Sequence, residues 1–250
     1  KKIRSFGGGT QKVEEEIKVL FPHSTLVRMD LDTTSTKHSH ERILNRFEKE
    51  KIDILLGTQM VTKGLDFENI TLVGVLAADL LLNIDDFRAW ERTFNLITQV
   101  CGRAGRGDKK GEAIIQTYMP DHEVLAFAKN QDYIGFYNYE IKFRKMFSYP
   151  PFSDIINIVL SGTDKLAVNE AAIYAYKDFI KKTKGLSYEI YNVTDAPISK
   201  IKGRYRKRFW IKTKNLNSLL KPLNAISNLN LNSKYSKVSI SIDINPASMI

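Results

Sequence analysis

The sequence has a single cysteine, Cys101, in 250 residues. That excludes a disulfide framework and any four-cysteine zinc site within this chain. Flanked by Val100 and Gly102, Cys101 fits a small buried apolar position. No apolar run approaches the roughly 18 residues that a membrane span needs. No apolar stretch follows the basic N-terminus as in a secretory leader, so the chain reads as cytoplasmic. The phosphate cradle G-x-x-x-x-G-K-[ST] is missing. Lys63 is followed by Gly64, not by Ser or Thr, and DHEV at 121–124 only mimics a DExx box. An initiator Met is also lacking, and the opening KKIRSFGGGTQK is expected for a piece cut from something longer. Internal repeats and low-complexity segments are absent too.

What is present is an ordinary globular composition, 43% hydrophobic and 26% charged. A chain of this length buries roughly 70–75% of its unfolded surface, enough for one large domain or two small ones. The net charge of +10 is unevenly placed. Residues 1–125 hold 18 Lys+Arg against 19 Asp+Glu, and residues 126–250 hold 20 against 9, so the excess lies in the second half. A basic half favours nucleic acid or an acidic partner; a merely solvated basic face is the competing reading.

Along the first half, apolar spacing predicts a helix over 10–21, with Thr10 as N-cap and Val13, Ile17, Leu20 and Phe21 inward. Short apolar runs predict strands at 25–29, 53–56, 70–76 and 112–117. Helices are predicted at 40–51 and 87–100, the latter with Trp90, Phe94, Ile97 and Cys101 in step. This alternation argues for a parallel sheet wrapped by helices. Asp30, Asp32, Thr33 and Thr34 fall at the C-terminal edge of the first strand, where ligands gather in such sheets. Metal binding and turn chemistry both explain DLDTT, and no metal is assigned.

Helical tracts follow at 121–129 and 133–147, and Pro150–Pro151 marks a joint. The order beyond it is strand 154–160, helix 165–182, strands 187–193 and 207–212, helix 215–228 and strand 237–244. The long helix is expected to turn Ala167, Ala171, Tyr174 and Phe179 inward. This β-α-β-β-α-β order matches a ferredoxin-like layer of two helices on one sheet. The domains expected are 1–119, a helical connector 120–149, and 150–250.

Two stretches carry the chemistry: ILLGTQMVTKGLDF (54–67) and QVCGRAGRG (99–107). Arg103 and Arg106 stand three apart, each preceded by a glycine, with Gln99 one helical turn earlier. Planar, permanently charged guanidinium groups stabilise the charge spread over a transferring phosphoryl group. Glutamine can hold water or a phosphate oxygen without adding charge. A structural ion-pair cluster is the competing reading for the arginines.

The pair of stretches resembles motifs V and VI of superfamily 2 helicases. RMDLDTT (28–34), DDFRAWERTFNLITQV (85–100), FSYPPF (147–152) and the closing IDINPASMI narrow the resemblance to the C-terminal part of the bacterial replication-restart helicases. It implies an α/β fold: a RecA-like second helicase lobe followed by a small α+β ferredoxin-like domain that binds DNA or partners. It implies catalytic roles for Arg103, Arg106 and Gln99, and nucleotide contact by Gly64, Asp66, Arg103 and Arg106. Thr58, Gln59 and Lys63 would grip the DNA backbone. ATP and Mg2+ would be held mainly by an upstream lobe, and zinc would sit elsewhere in the full-length protein. The activity implied is ATP-dependent 3′-to-5′ unwinding at stalled or branched forks, with this piece inactive alone. Implied partners are branched and single-stranded DNA, the acidic tail of single-stranded DNA-binding protein and other primosome proteins, in the nucleoid and without a membrane.

A second site lies in KIKGRYRKRFWIK (200–212). Lys200, Lys202, Arg204, Arg206, Lys207 and Arg208 crowd one loop and strand edge, among Tyr205, Phe209 and Trp210. Arginine pairs with phosphate and aromatic rings stack on bases. A charge-guarded strand edge is the bland alternative, and strand alternation lets at most half of these side chains share one surface. A non-catalytic nucleic-acid-binding and partner-docking module remains the rival to the motor reading.

Overall fold

The structure is a computed structural model describing residues 9–30, 33–34, 39–58, 70–102, 111–227 and 235–249. The chain divides into two compact units, residues 1–83 with 90–133, and residues 84–89 with 134–250.

The first unit alternates helix and strand: α1 (Thr10–Leu20), β1 (Leu26–Met29), α2 (Ser39–Lys49), β2 (Ile54–Gly57), β3 (Leu72–Val75), α3 (Asp79–Leu82), α4 (Ala89–Cys101), β4 (Glu112–Ile115) and α5 (Glu123–Lys129). Two parallel ladders are described, β1 with β2 and β3 with β4. Each is pinned by a carboxylate. Asp53 accepts from the Thr25 amide (2.8 Å) and hydroxyl (2.7 Å), tying together the starts of β1 and β2. Asp79 accepts from the Thr117 hydroxyl (2.7 Å) beyond the ends of β3 and β4.

Two expectations change here. Thr10 is the first helical residue, not the cap: Gly9 occupies the N-cap, and the Thr10 hydroxyl donates to Asp30 instead. Leu20 and Phe21 are exposed, at 71% and 55%. The half-buried positions of this helix are Thr10, Val13, Glu14 and Ile17, so its packed face ends before the last turn. α3 was not anticipated. The DHEV string is helix-start chemistry, because His122 Nδ1 caps α5 by accepting from the Val124 amide (3.2 Å).

The second unit holds most of α6 (Tyr133–Met146), then β5 (Asp154–Gly162), α7 (Lys165–Lys182), β6 (Glu189–Ile201), β7 (Arg204–Thr213), α8 (Leu216–Ser227) and β8 (Ser239–Ile244). The strand order is β6-β7-β5-β8 with every neighbour antiparallel, the ferredoxin-like arrangement. Ile156, Ile158 and Leu160 on β5, with Phe209 and Ile211 on β7, face α7 and α8 and make the core. Asp164 starts α7 by accepting from the amides of Leu166 and Ala167 (2.8 and 3.2 Å).

The α7 stripe is Val168, Ala171, Ala172, Ala175 and Phe179, while Tyr174 is 47% exposed, not inward as its spacing suggested. β6 and β7 are also longer than expected, meeting in a two-residue hairpin turn. Lys202 and Gly203 both have positive φ, +46° and +78°, as a type I′ turn requires. Gly162 ends β5 where a Cβ would lie 2.9 Å from Val168 Cγ2 and 3.2 Å from the Lys237 carbonyl oxygen. The structure has no room there for a side chain.

Candidate nucleic-acid interface

In the first unit, Thr58 follows β2 directly and is exposed, beyond the C-terminal end of a parallel strand. Gln99 is exposed in the last turn of α4. Gly102 continues the helical bonding, its amide donating to the Thr98 carbonyl at 3.0 Å. Cys101 is half-buried, and burial pushes its thiol pKa up, away from nucleophilic use. Gln59, Lys63, Gly64, Asp66, Arg103 and Arg106 lie outside the described residues.

Asp30 shows what the DLDTT edge does locally. It is 6% exposed, accepts from the Thr10 hydroxyl and the Thr33 amide (3.0 Å), and lies 3.2 Å from Arg28 Nε. Chiefly the Thr10 hydrogen bond, then the Thr33 amide, holds its carboxyl pKa below the usual range against the opposing effect of burial. Its backbone amide and carbonyl bond Thr33 and Thr34, so the carboxylate is engaged in a turn. Asp32 is outside the described residues. No cluster of three or more His, Cys, Asp or Glu suited to a metal occurs among the described residues.

In the second unit the basic stretch forms an interior strand, because β7 lies between β6 and β5. The edge-strand alternative therefore does not apply to residues 204–212, whereas Lys200 and Ile201 end β6, an edge strand. Odd positions, Phe209 and Ile211, enter the core. Even positions, Arg204, Arg206, Arg208, Trp210 and Lys212, share the opposite face. Lys202 is exposed in the hairpin turn. Arg204 Nη2 donates to the Ser161 carbonyl and the Ser239 hydroxyl, both at 2.9 Å, and Arg206 Nη1 to the Ile198 carbonyl at 3.3 Å. Both guanidinium groups are half-buried and are braced by neighbouring strands.

Arg208 differs. It is 7% exposed, donating through Nη1 to the Met249 carbonyl and through Nη2 to Asp85 Oδ2 at 3.1 Å. Its guanidinium is committed inside the unit. Asp86 completes this clasp by accepting from the Met249 amide (3.1 Å) and the Arg88 amide (3.0 Å).

Next along the strand, Trp210 stacks on Tyr191 with centroids 3.7 Å apart and planes at 2°. The Lys212 ammonium donates to the Phe147 carbonyl (2.7 Å) and lies over the rings of Tyr149, Tyr191 and Trp210 at 4.0, 5.3 and 5.4 Å. Burial lowers the pKa of Lys212, and the Glu189 charge partly opposes this. Tyr191 is pushed up to about 12, first by burial, then by its hydrogen bond to Glu189 (3.1 Å) and the charges around it. A tyrosinate absorbance titration is therefore expected to lose an ionisation near 12 in Tyr191→Phe. Loss of one near the ordinary value of about 10 would mean the stack is open to water.

Comparison with known proteins adds family to geometry. The family described as "Helicase conserved C-terminal domain" matches residues 5–108, and "Primosomal protein N C-terminal domain" matches residues 145–247. "Replication restart protein PriA" of Bacillus subtilis (strain 168) is 46% identical over 99% of this chain. The chain matches the C-terminal part of PriA. PriA of Synechocystis is 40% identical over 99% of the chain, and that of Chlamydia pneumoniae 38% over 96%. The chain spans 31% of the length of the Bacillus PriA, 29% of the Synechocystis one and 32% of the Chlamydia one. The PriA family is a helicase family, and the first unit corresponds to its RecA-like second lobe.

Within this PriA-type chain, residues 84–89 join the second unit, although strands and helices of the first flank them in sequence. Sequence reasoning did not single out Asp85, Asp86, Phe87, Tyr149, Tyr191 or Lys212. The one available signal was paired aspartates just ahead of a helix, a helix-start pattern.

Proposed function

We propose that the chain is the C-terminal part of an ATP-dependent 3′-to-5′ DNA helicase that binds stalled or branched forks and restarts replication by primosome assembly. In this reading ATP and Mg2+ are held mainly by a lobe upstream of this chain. Arg103 and Arg106 close on the γ-phosphate, Gln99 contacts the phosphate or the attacking water, and Gly64 and Asp66 link that cleft to the DNA grip at Thr58, Gln59 and Lys63. Closing the lobes around ATP and releasing them after hydrolysis would step Thr58 along one strand.

The second unit supplies a DNA-binding surface. The observation that carries this is the row of Arg204 and Arg206 on one sheet face, with Lys202 exposed at the hairpin tip beside it. Two braced guanidinium groups at strand spacing present donors to successive phosphates without first having to be ordered. The same surface is suited to the acidic tail of single-stranded DNA-binding protein. Arg208, with its hydrogen bonds used internally, positions the sheet's neighbours and does not contact phosphate.

The test is the Arg204→Ala/Arg206→Ala double variant of the full-length protein. Affinity for single-stranded or forked DNA is expected to fall, and the slope of log K against log salt to flatten by about 1.4, two phosphate contacts' worth. An unchanged affinity and slope would remove this surface from the DNA path.

A further inference from the structure

One cavity in the second unit suits a part of a nucleic acid other than its phosphates. Its volume is about 240 Å3, and its walls include Asp85, Phe87, Tyr149, Arg208, Trp210 and Met249. Three of these are flat rings. Phe87 and Tyr149 stack on each other at 5.1 Å and 9°, with the Arg88 and Lys212 cations over them at 4.1 and 4.0 Å, while Trp210 is backed by Tyr191. The cavity lies along β7 just past Arg206, where Arg208 and Trp210 continue the face begun by Arg204 and Arg206.

We infer that this cavity receives one unpaired nucleobase of a single strand whose phosphates run along Arg204 and Arg206. This rests on the reading of the second unit as a DNA-binding surface, and it adds a base subsite to that surface.

Charge separates the two kinds of contact. The Asp85 side chain is 87% exposed and belongs to the cavity wall, whereas the Asp86 carboxylate is buried and bonded to the Met249 and Arg88 amides. An exposed carboxylate disfavours a phosphate. It suits the edge of a neutral base, whose amino group donates to a carboxylate. Arg208 engages Oδ2 of Asp85, and Oδ1 takes no part in that contact. Trp210 supplies a stacking surface, which every base can use. The carboxylate adds a bias toward the bases that carry an amino group, cytosine, adenine and guanine, over thymine, which does not.

Spacing agrees as well. Side chains on one face of a strand recur about every 6.6 Å, a stride comparable to one nucleotide of an unstacked strand. Arg204 and Arg206 thus lead a backbone toward the Trp210 wall. An arginine side chain from a protein partner also complements rings and carboxylates. It is disfavoured because the approach runs along Arg204 and Arg206 in a half of the chain with 20 Lys+Arg against 9 Asp+Glu.

The experiment uses the full-length protein and a single-stranded oligonucleotide carrying one 5-iodocytosine. Photocross-links mapped by mass spectrometry are expected at Tyr149 or Trp210. An oligonucleotide abasic at that nucleotide is expected to bind roughly tenfold more weakly. In Asp85→Asn the preference for cytosine over thymine is expected to disappear, and a thermal melt of the variant separates that loss from any effect of removing the charge paired with Arg208. Cross-links found only elsewhere, or equal affinity for the intact and abasic strands, would overturn the base subsite. So would an arginine-rich peptide that cross-links at Trp210 when the oligonucleotide does not. If the Arg204→Ala/Arg206→Ala variant still shows the flattened salt slope in those cases, only the base subsite falls. If that variant binds unchanged, the DNA-binding reading falls with it.

Discussion

Arg103→Ala and Arg106→Ala, each introduced into the full-length protein, are expected to lower ATP turnover by about 10³-fold or more while DNA affinity stays near that of the parent. The magnitude is that of removing an arginine finger from a phosphoryl-transfer site. Charge develops on the phosphoryl oxygens as the bond to the leaving group breaks, and a fixed guanidinium stabilises it without reorganising. Neither arginine can be replaced by lysine without loss, because the compact ammonium lacks the planar fork. Steady-state ATPase assays with saturating single-stranded DNA test this directly. Unchanged turnover in both variants would remove these residues from the nucleotide cleft. The residual activity should not depend on Arg204 and Arg206, which are proposed to contact DNA.

Phe209→Ala is expected to destabilise the second unit by about 3–5 kcal/mol, the range for truncating a fully buried phenylalanine. Phe209 is 0% exposed, pairs with Ile158 across the ladder and meets Tyr176 edge-on at 5.6 Å. It also lies opposite the irregularity between Tyr191 and Thr194 on β6. Thermal denaturation of the chain should show a midpoint lowered by at least about 10 °C for the transition of this unit. The contrasting variant is Tyr174→Ala on α7, whose side chain is 47% exposed and should cost less than about 0.5 kcal/mol. Equal losses at the two sites would mean that the α7 face is assigned wrongly.

Most elements were legible because their signals are local. The alternation of Val238, Ile240 and Ile242 marks β8, and the apolar steps at Phe94 and Ile97 mark the buried face of α4. β6 and β7 were read short because 194–206 is polar and charged and looks like a loop. A two-residue turn at Lys202–Gly203 extends both strands through it, and the neighbouring strand β5 supports β7 as far as the Gly162–Tyr205 pair. Tyr174 was misread because a three-residue step from Ala171 falls on either border of a helical stripe. Only the packing partner decides which border is buried.

The sequence by itself determined the family, the order of elements and the basic bias of the second half, because each is written in residue type and spacing. Tertiary pairing placed Arg204 and Arg206 on one strand face, because β7 begins at Arg204 and not at 207 as its spacing predicted. Tertiary structure alone decided that Arg208 is withdrawn from that face into a clasp with Asp85 and Met249, 123 and 41 residues away in the chain. It likewise decided that 84–89 belongs with the second unit and that Phe87, Tyr149 and Trp210 wall one cavity. Those contacts depend on which distant segments pack side by side, and no local spacing rule encodes the partner of a buried charge.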